Sequence, residues 1–141
     1  MNKYLLDTNA LSRLLWNNIP EQWSQIWNQI RNKKALLILI EPVVSEMYYK
    51  NVQKFGDKKV VDKILWVKSL NTELYSLDDN DAIYAGKIKA KYPKTFSLVD
   101  CFILAVANKR HALVLTTDHD IRDEANKIKV NINYISLGNL V

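Results

Sequence analysis

The run Ala35-Leu36-Leu37-Ile38-Leu39-Ile40 constrains the fold more than any other stretch of the chain. Six consecutive apolar residues show no polar alternation, so a strand made from them is covered on both faces, as in a parallel sheet packed between helices. Tyr4-Leu5-Leu6 and Ala112-Leu113-Val114-Leu115 are short apolar runs of the same kind, and further short strands are expected at 74–77 and near Tyr134-Ile135. Helical patterns separate them. Residues 10–16 form the first, broken by Asn17 and Asn18. Residues 20–31 follow, with Trp23, Ile26, Trp27 and Ile30 on one face. Pro42 fits the first turn of a helix that ends at Gly56, since its missing N–H is an orphan there anyway. Asp57 is a cap for 58–70, Asp78 or Asp79 opens a helix to about Tyr92, and Ser97 caps a helix over 98–108. A short polar helix follows Asp118. This alternation predicts an α/β domain over 1–141, with a mostly parallel sheet of four or five strands flanked by helices.

Composition narrows the function. The chain has 141 residues, 48% of them hydrophobic and 25% charged, the balance of a globular domain able to bury its own core. Its three glycines, Gly56, Gly86 and Gly138, lie in no Gly-rich loop, which excludes a Walker phosphate loop and a dinucleotide fingerprint. One cysteine forms no intrachain disulfide, and with two histidines it makes no ordinary structural zinc site. The expected setting is a reducing, cytoplasmic one. No apolar run approaches the ~20 residues of a membrane span, and Asp7 and Asn9 interrupt the N-terminal apolar stretch, unlike a secretory signal. The net charge of +5 points to an anionic partner, with nucleic acid the usual candidate.

Acidic residues stand where such a fold places its ligands, beyond the carboxyl ends of the strands. Asp7 follows the first strand and Asp118 follows Leu113-Val114-Leu115. Each also has a purely local reading, as an Asx turn or helix cap. Asp100 lies at the start of a helix with no polar face. It fits either a capping box with Ser97 or a carboxylate at the mouth of a buried helix. Glu46 lies beside the Val43–Met47 face, and Lys50 four residues on makes a solvated i,i+4 pair the preferred reading from the pattern alone. His119 is a candidate base, although an exposed helix-start histidine fits better, and Cys101 reads as a core thiol.

If Asp7, Glu46, Asp100 and Asp118 converge, they repel one another. A hard divalent cation, Mg²⁺ or Mn²⁺, relieves that repulsion through oxygen ligands. One or two such ions orient a water and neutralise charge on a phosphodiester, with no covalent nucleophile required. The basic clusters Lys33-Lys34, Lys58-Lys59, Lys87-Lys89-Lys91-Lys94 and Lys109-Arg110 read as phosphate contacts or as solvated helix faces.

Four motifs in order carry a resemblance. Tyr4-Leu5-Leu6-Asp7-Thr8-Asn9, Pro42-Val43-Val44-Ser45-Glu46, Ser97 through Ala105 with Asp100 at its third helical position, and Leu115-Thr116-Thr117-Asp118-His119-Asp120-Ile121 resemble those of the PIN-domain family, and within it the small toxin ribonucleases of VapBC-type toxin–antitoxin pairs. The match runs over nearly the whole chain. Ile121 stands where the family often has an aromatic residue. The resemblance implies a parallel sheet with the acids at its carboxyl edge. It implies Asp7 and Asp100 as the principal metal ligands, with Glu46 and Asp118 binding a second metal or orienting waters. Asn9, Thr116 and Asp120 are implied as supporting positions. It also implies endoribonuclease activity, a homodimer and a protein antitoxin. Trp16, Trp23, Trp27, Tyr48, Tyr49 and Trp66 are candidates for such surfaces or for core packing. A housekeeping RNA-processing nuclease and a non-catalytic RNA-binding module are the alternative functions.

Overall fold

In the computed structural model, which describes residues 1–16 and 18–136, the apolar runs become strands of one sheet. The elements follow in the order β1 (Asn2–Leu6), α1 (Thr8–Leu15), α2 (Glu21–Arg31), β2 (Ala35–Leu39), α3 (Glu41–Phe55) and α4 (Asp57–Ser69). Then come β3 (Thr72–Leu74), α5 (Asp79–Lys91), α6 (Leu98–Arg110), β4 (Leu113–Thr116), α7 (His119–Glu124), a 3₁₀ turn (Ala125–Ile128) and β5 (Ile132–Tyr134). Asn17, half of the expected break after α1, lies outside the described residues, as do 137–141 with Gly138.

The sheet has five strands in the order β3-β2-β1-β4-β5, all parallel. β1 is central, flanked by β2 with Leu5 opposite Ile38 and by β4 with Leu6 opposite Leu115. The chain adds β2 and β3 on one side of β1, then returns to add β4 and β5 on the other. That reversal opens a crevice beyond the carboxyl ends of β1 and β4, where open α/β sheets take their ligands. Both faces of the central strands are covered: Leu5, Leu6, Leu37, Ile38, Val114 and Leu115 are all buried, as the lack of alternation required. α6 lies within the core, burying Cys101, Ile103, Leu104, Ala105, Val106 and Ala107. Each large apolar side chain there contributes about 1.5–3 kcal/mol.

Two boundaries differ from the sequence expectation. The strand expected at 74–77 is β3, shifted to Thr72–Leu74; three residues carry too little pattern to fix a register. Asp57 does not cap α4 but sits in its first turn, accepting a hydrogen bond from the Tyr48 hydroxyl at 2.7 Å. Gly56 makes the junction instead: at φ 85° it ends α3 and begins α4 in one residue, a conformation costly for any side chain with a Cβ. Trp23 and Trp27 belong to the core rather than to a partner surface, and the indole N–H of Trp23 donates to Asn133 Oδ1 at 3.1 Å.

Candidate active site

Three helices begin at the crevice, and each starts on one of the predicted aspartates or carries it in its first turn. Asp7 follows β1 and caps α1: its Oδ1 accepts from Ala10 N at 2.8 Å. Its Oδ2 accepts from the Thr116 hydroxyl at the end of neighbouring β4. The backbone N–H of Asp118 in turn donates to Thr116 Oγ1 at 2.9 Å. Thr116, fully buried, therefore couples the two acidic strand ends.

Asp118 caps α7, its Oδ1 accepting from Asp120 N at 2.8 Å. Asp100 completes the capping box at the start of α6. Its N–H donates to Ser97 Oγ at 3.1 Å, and its Oδ2 accepts from Ser97 N at 3.3 Å. Capping a helix and lining the crevice are thus not alternatives here. Asp100 Oδ1 and Asp118 Oδ2 keep no hydrogen-bond donor among the described residues, and the positive ends of α1, α6 and α7 favour negative charge where the acids lie.

Glu46 corrects the pattern-based reading. It pairs with Lys50 at 3.3 Å as expected, but the pair is not on a solvated face. Glu46 is only 9% exposed and lines the same open cleft, of about 500 Å³, as Asp7, Asp100 and Asp118. A helical wheel reports direction about the helix axis, not what packs there, and α3 lies against both α1 and α6.

The carboxylates sense one another. Burial of Asp7 raises its pKa from 3.8 to about 6; the charge of Asp100 adds to the rise, while the bonds from Thr116, Ala10 and the Thr117 backbone oppose it. Burial also raises Asp100, with the charges of Asp118 and Glu46 pushing the same way and Ser97 opposing. A divalent cation compensates such a set: oxygen donors from separate elements, two of them held above the usual carboxylate range by burial and mutual repulsion. That chemistry fits Mg²⁺ or Mn²⁺ and gives no foothold to a soft, thiolate-preferring metal. The side chains of Asp118, His119 and Asp120 offer a further group whose ligand atoms lie within 4.8 Å of one another. There His119 Nε2 sits 3.3 Å from Asp120 Oδ1. His119 is an exposed residue at the start of α7, as the sequence suggested.

Asn9 lines the cleft and accepts from Arg13 Nε at 3.0 Å and from Thr117 Oγ1 at 3.3 Å. Thr8 and Thr117 stood in the motifs without a role, and Tyr49 was a candidate for a partner surface or the core; all three line the cleft. Thr8 Oγ1 is buried at the cleft with no hydrogen-bond partner among the described residues. Tyr49 is 60% exposed on the cleft wall. Adjacency to the motif acids was the signal available for Thr8 and Thr117; nothing in the sequence tied Tyr49 to the cleft. Lys109-Arg110, and Lys89 from the third cluster, are engaged within the fold. Lys109 pairs with Asp78 and Asp81 at 3.4 Å, and Arg110 pairs with Glu73. Lys89 Nζ donates to the carbonyls of Pro93 and Phe96.

A family model described as the PIN domain matches residues 4–127. No curated protein matches the sequence. Among solved structures, the chain is similar to VapBC2 from Rickettsia felis bound to a DNA fragment from its promoter, with TM-score 0.72 and 15% identity over 94% of this chain and 98% of that one. It is similar to DNA-bound VapBC from Salmonella typhimurium, with TM-score 0.71 and 20% identity over 95% and 98%. A third similar structure is Mycobacterium tuberculosis VapC20, a sarcin-ricin loop cleaving toxin, with TM-score 0.61 and 14% identity over 79% and 86%. No helix among the described residues is long and apolar enough to cross a membrane.

Proposed function

The chain belongs to the PIN-domain family, and on that premise we propose that it is a divalent-metal-dependent endoribonuclease, the toxin of a toxin–antitoxin pair. The observation that carries this reading is the convergence of Asp7, Asp100, Asp118 and Glu46 on one cleft at the switch point of the sheet. Asp7, Asp100 and Asp118 hold the ion, with Glu46 completing the acidic wall; Asn9, Thr116 and Asp120 support them. When bound, Mg²⁺ or Mn²⁺ activates a water and offsets charge developing on the phosphodiester.

The chain's own part is positioning. Thr116 fixes the Asp7 carboxylate, and Ser97 fixes that of Asp100 through the capping box. Asp118 is fixed at both its backbone and its side chain. An RNA strand laid along the cleft meets these acids with its scissile phosphate, while Tyr49 offers an exposed ring to a base. Hydrolysis breaks one P–O bond and puts the elements of water on the two products. The homodimer and the antitoxin belong to the same proposal. They are supported by the likeness to VapBC assemblies and by exposed apolar residues on α4, namely Val61, Leu65 and Trp66.

The test is cleavage of a labelled single-stranded RNA panel with Mn²⁺, Mg²⁺ or EDTA, wild type beside Asp100→Asn. Metal-dependent cutting absent in the variant supports the reading. Equal cutting by both places the activity elsewhere. A housekeeping nuclease of the same chemistry is distinguished by co-purification: a toxin brings down a small partner protein that suppresses cleavage.

A further inference from the structure

The cleft holds a cation of the chain's own, and it is paired with one of the four acids. Lys50 stands one turn beyond Glu46 on α3, with Nζ 3.3 Å from Glu46 Oε1. It is the only lysine or arginine among the described residues lining the cleft. Its side chain is 54% exposed and that of Glu46 is 11% exposed, so the ammonium reaches from the open cleft onto a carboxylate that is itself largely covered. The other three acids of the cleft are different. Asp7, Asp100 and Asp118 make no ion pair among the described residues. The cleft thus has three carboxylates without an ion pair and one, Glu46, with one.

This asymmetry bears on how many ions the acids take. A divalent ion among Asp7, Asp100 and Asp118 meets only negative charge. A second ion at Glu46 would share that carboxylate with an ammonium already within contact distance, and like charges repel most strongly where water is partly excluded. We propose that Lys50 is the built-in second cation of this cleft. It holds Glu46 in an ion pair, so the site loads a single divalent ion on the Asp7–Asp100–Asp118 side, and its half-exposed ammonium takes a phosphate oxygen of the RNA. The proposal rests on the nuclease reading above and deepens it with a metal count of one.

The experiment is a Mn²⁺ titration followed by calorimetry and electron paramagnetic resonance. It compares wild type, Lys50→Met, Lys50→Arg and the double variant Lys50→Met with Glu46→Gln. Lys50 is half exposed, and thermal melts check that each variant folds. Wild type and Lys50→Arg bind one Mn²⁺ per chain. Lys50→Met gains a second ion, its affinity raised at least about tenfold by removal of the competing charge, and the double variant returns to one. In EDTA, affinity for a labelled single-stranded RNA falls several-fold in Lys50→Met and is retained in Lys50→Arg. Two ions in the wild type, or one in Lys50→Met, overturns the proposal while RNA cleavage by the wild type leaves the nuclease reading standing. RNA affinity unchanged in Lys50→Met overturns the phosphate role. A wild type that binds no Mn²⁺ overturns both readings.

Discussion

Replacing Asp7 by Asn should stabilise the metal-free protein at neutral pH. Asp7 is 5% exposed and its carboxyl titrates at about 6 in the folded chain, against 3.8 in model peptides. Below pH 3.8 the group is protonated in both states and contributes no pH dependence. Between 3.8 and about 6 the unfolded state gives up its proton and the folded state keeps it, so stability falls as pH rises. Above about 6 the penalty is constant. At about 1.36 kcal/mol per pH unit it amounts to about 3 kcal/mol. Asn is uncharged and removes it. Ala10 N still finds an acceptor, but the Thr116 hydroxyl must turn to meet an amide in place of a carboxylate oxygen, a loss of about 1 kcal/mol. The net gain is about 2 kcal/mol, or roughly 6 °C in Tm for a chain of this size. The assay is thermal and urea unfolding in EDTA from pH 4 to pH 8. The wild-type stability should drop relative to Asp7→Asn across pH 4–6, and millimolar Mg²⁺ should restore the wild type more than the variant. A variant less stable than wild type at pH 7.5, or parallel pH profiles, would refute the account of Asp7 as an acid held against its own charge.

Other perturbations separate positioning from chemistry. Ser97→Ala removes the cap of α6 and should cost about 1 kcal/mol in urea unfolding; because it also frees Asp100, the cleavage rate should fall further than the stability change explains. Tyr49→Ala, at an exposed position, should leave Tm within about 1 °C and weaken binding of single-stranded RNA by the ~1–3 kcal/mol typical of a lost stacking platform. Gly56→Ala should destabilise by about 1 kcal/mol, even though an added Cβ meets nothing within 4 Å, because the strain is in the backbone at φ 85°. Leu104→Ala, in the centre of α6, should cost about 2–5 kcal/mol as a cavity in a close-packed core.

The parts of the fold legible in sequence are those whose pattern is local. The run at 35–40 had to be a strand covered on both faces, and α6, without a polar face, had to be buried. Asp7 and Asp118 could be placed at strand ends, although their adjacency needed a strand order that no local pattern carries. What stayed hidden was set by partners distant in the chain. Lys109 and Arg110 looked like a phosphate-binding pair, yet they reach Asp78, Asp81 and Glu73, 28 to 37 residues away. Glu46 looked solvated because its i,i+4 lysine is real; only the packing of α3 against α1 and α6 shows that the pair borders a cleft. For Asp7, Asp100 and Asp118, capping a helix and facing the crevice competed as readings of the sequence and coincide in space. A carboxylate has two oxygens, and a cap occupies one.

The strand order also governs when the site comes into being. Asp7 is made well before its neighbour across the sheet: the hydrogen bond from Thr116 to Asp7 spans 109 residues. A nascent chain presents β1 with β2 beside it and the other edge bare until β4 arrives. Parallel pairing over so long a separation is slow to form. A chain still being translated on the ribosome, the machine nearest at hand and built of RNA, therefore carries the acids scattered along it and no cleft that unites them.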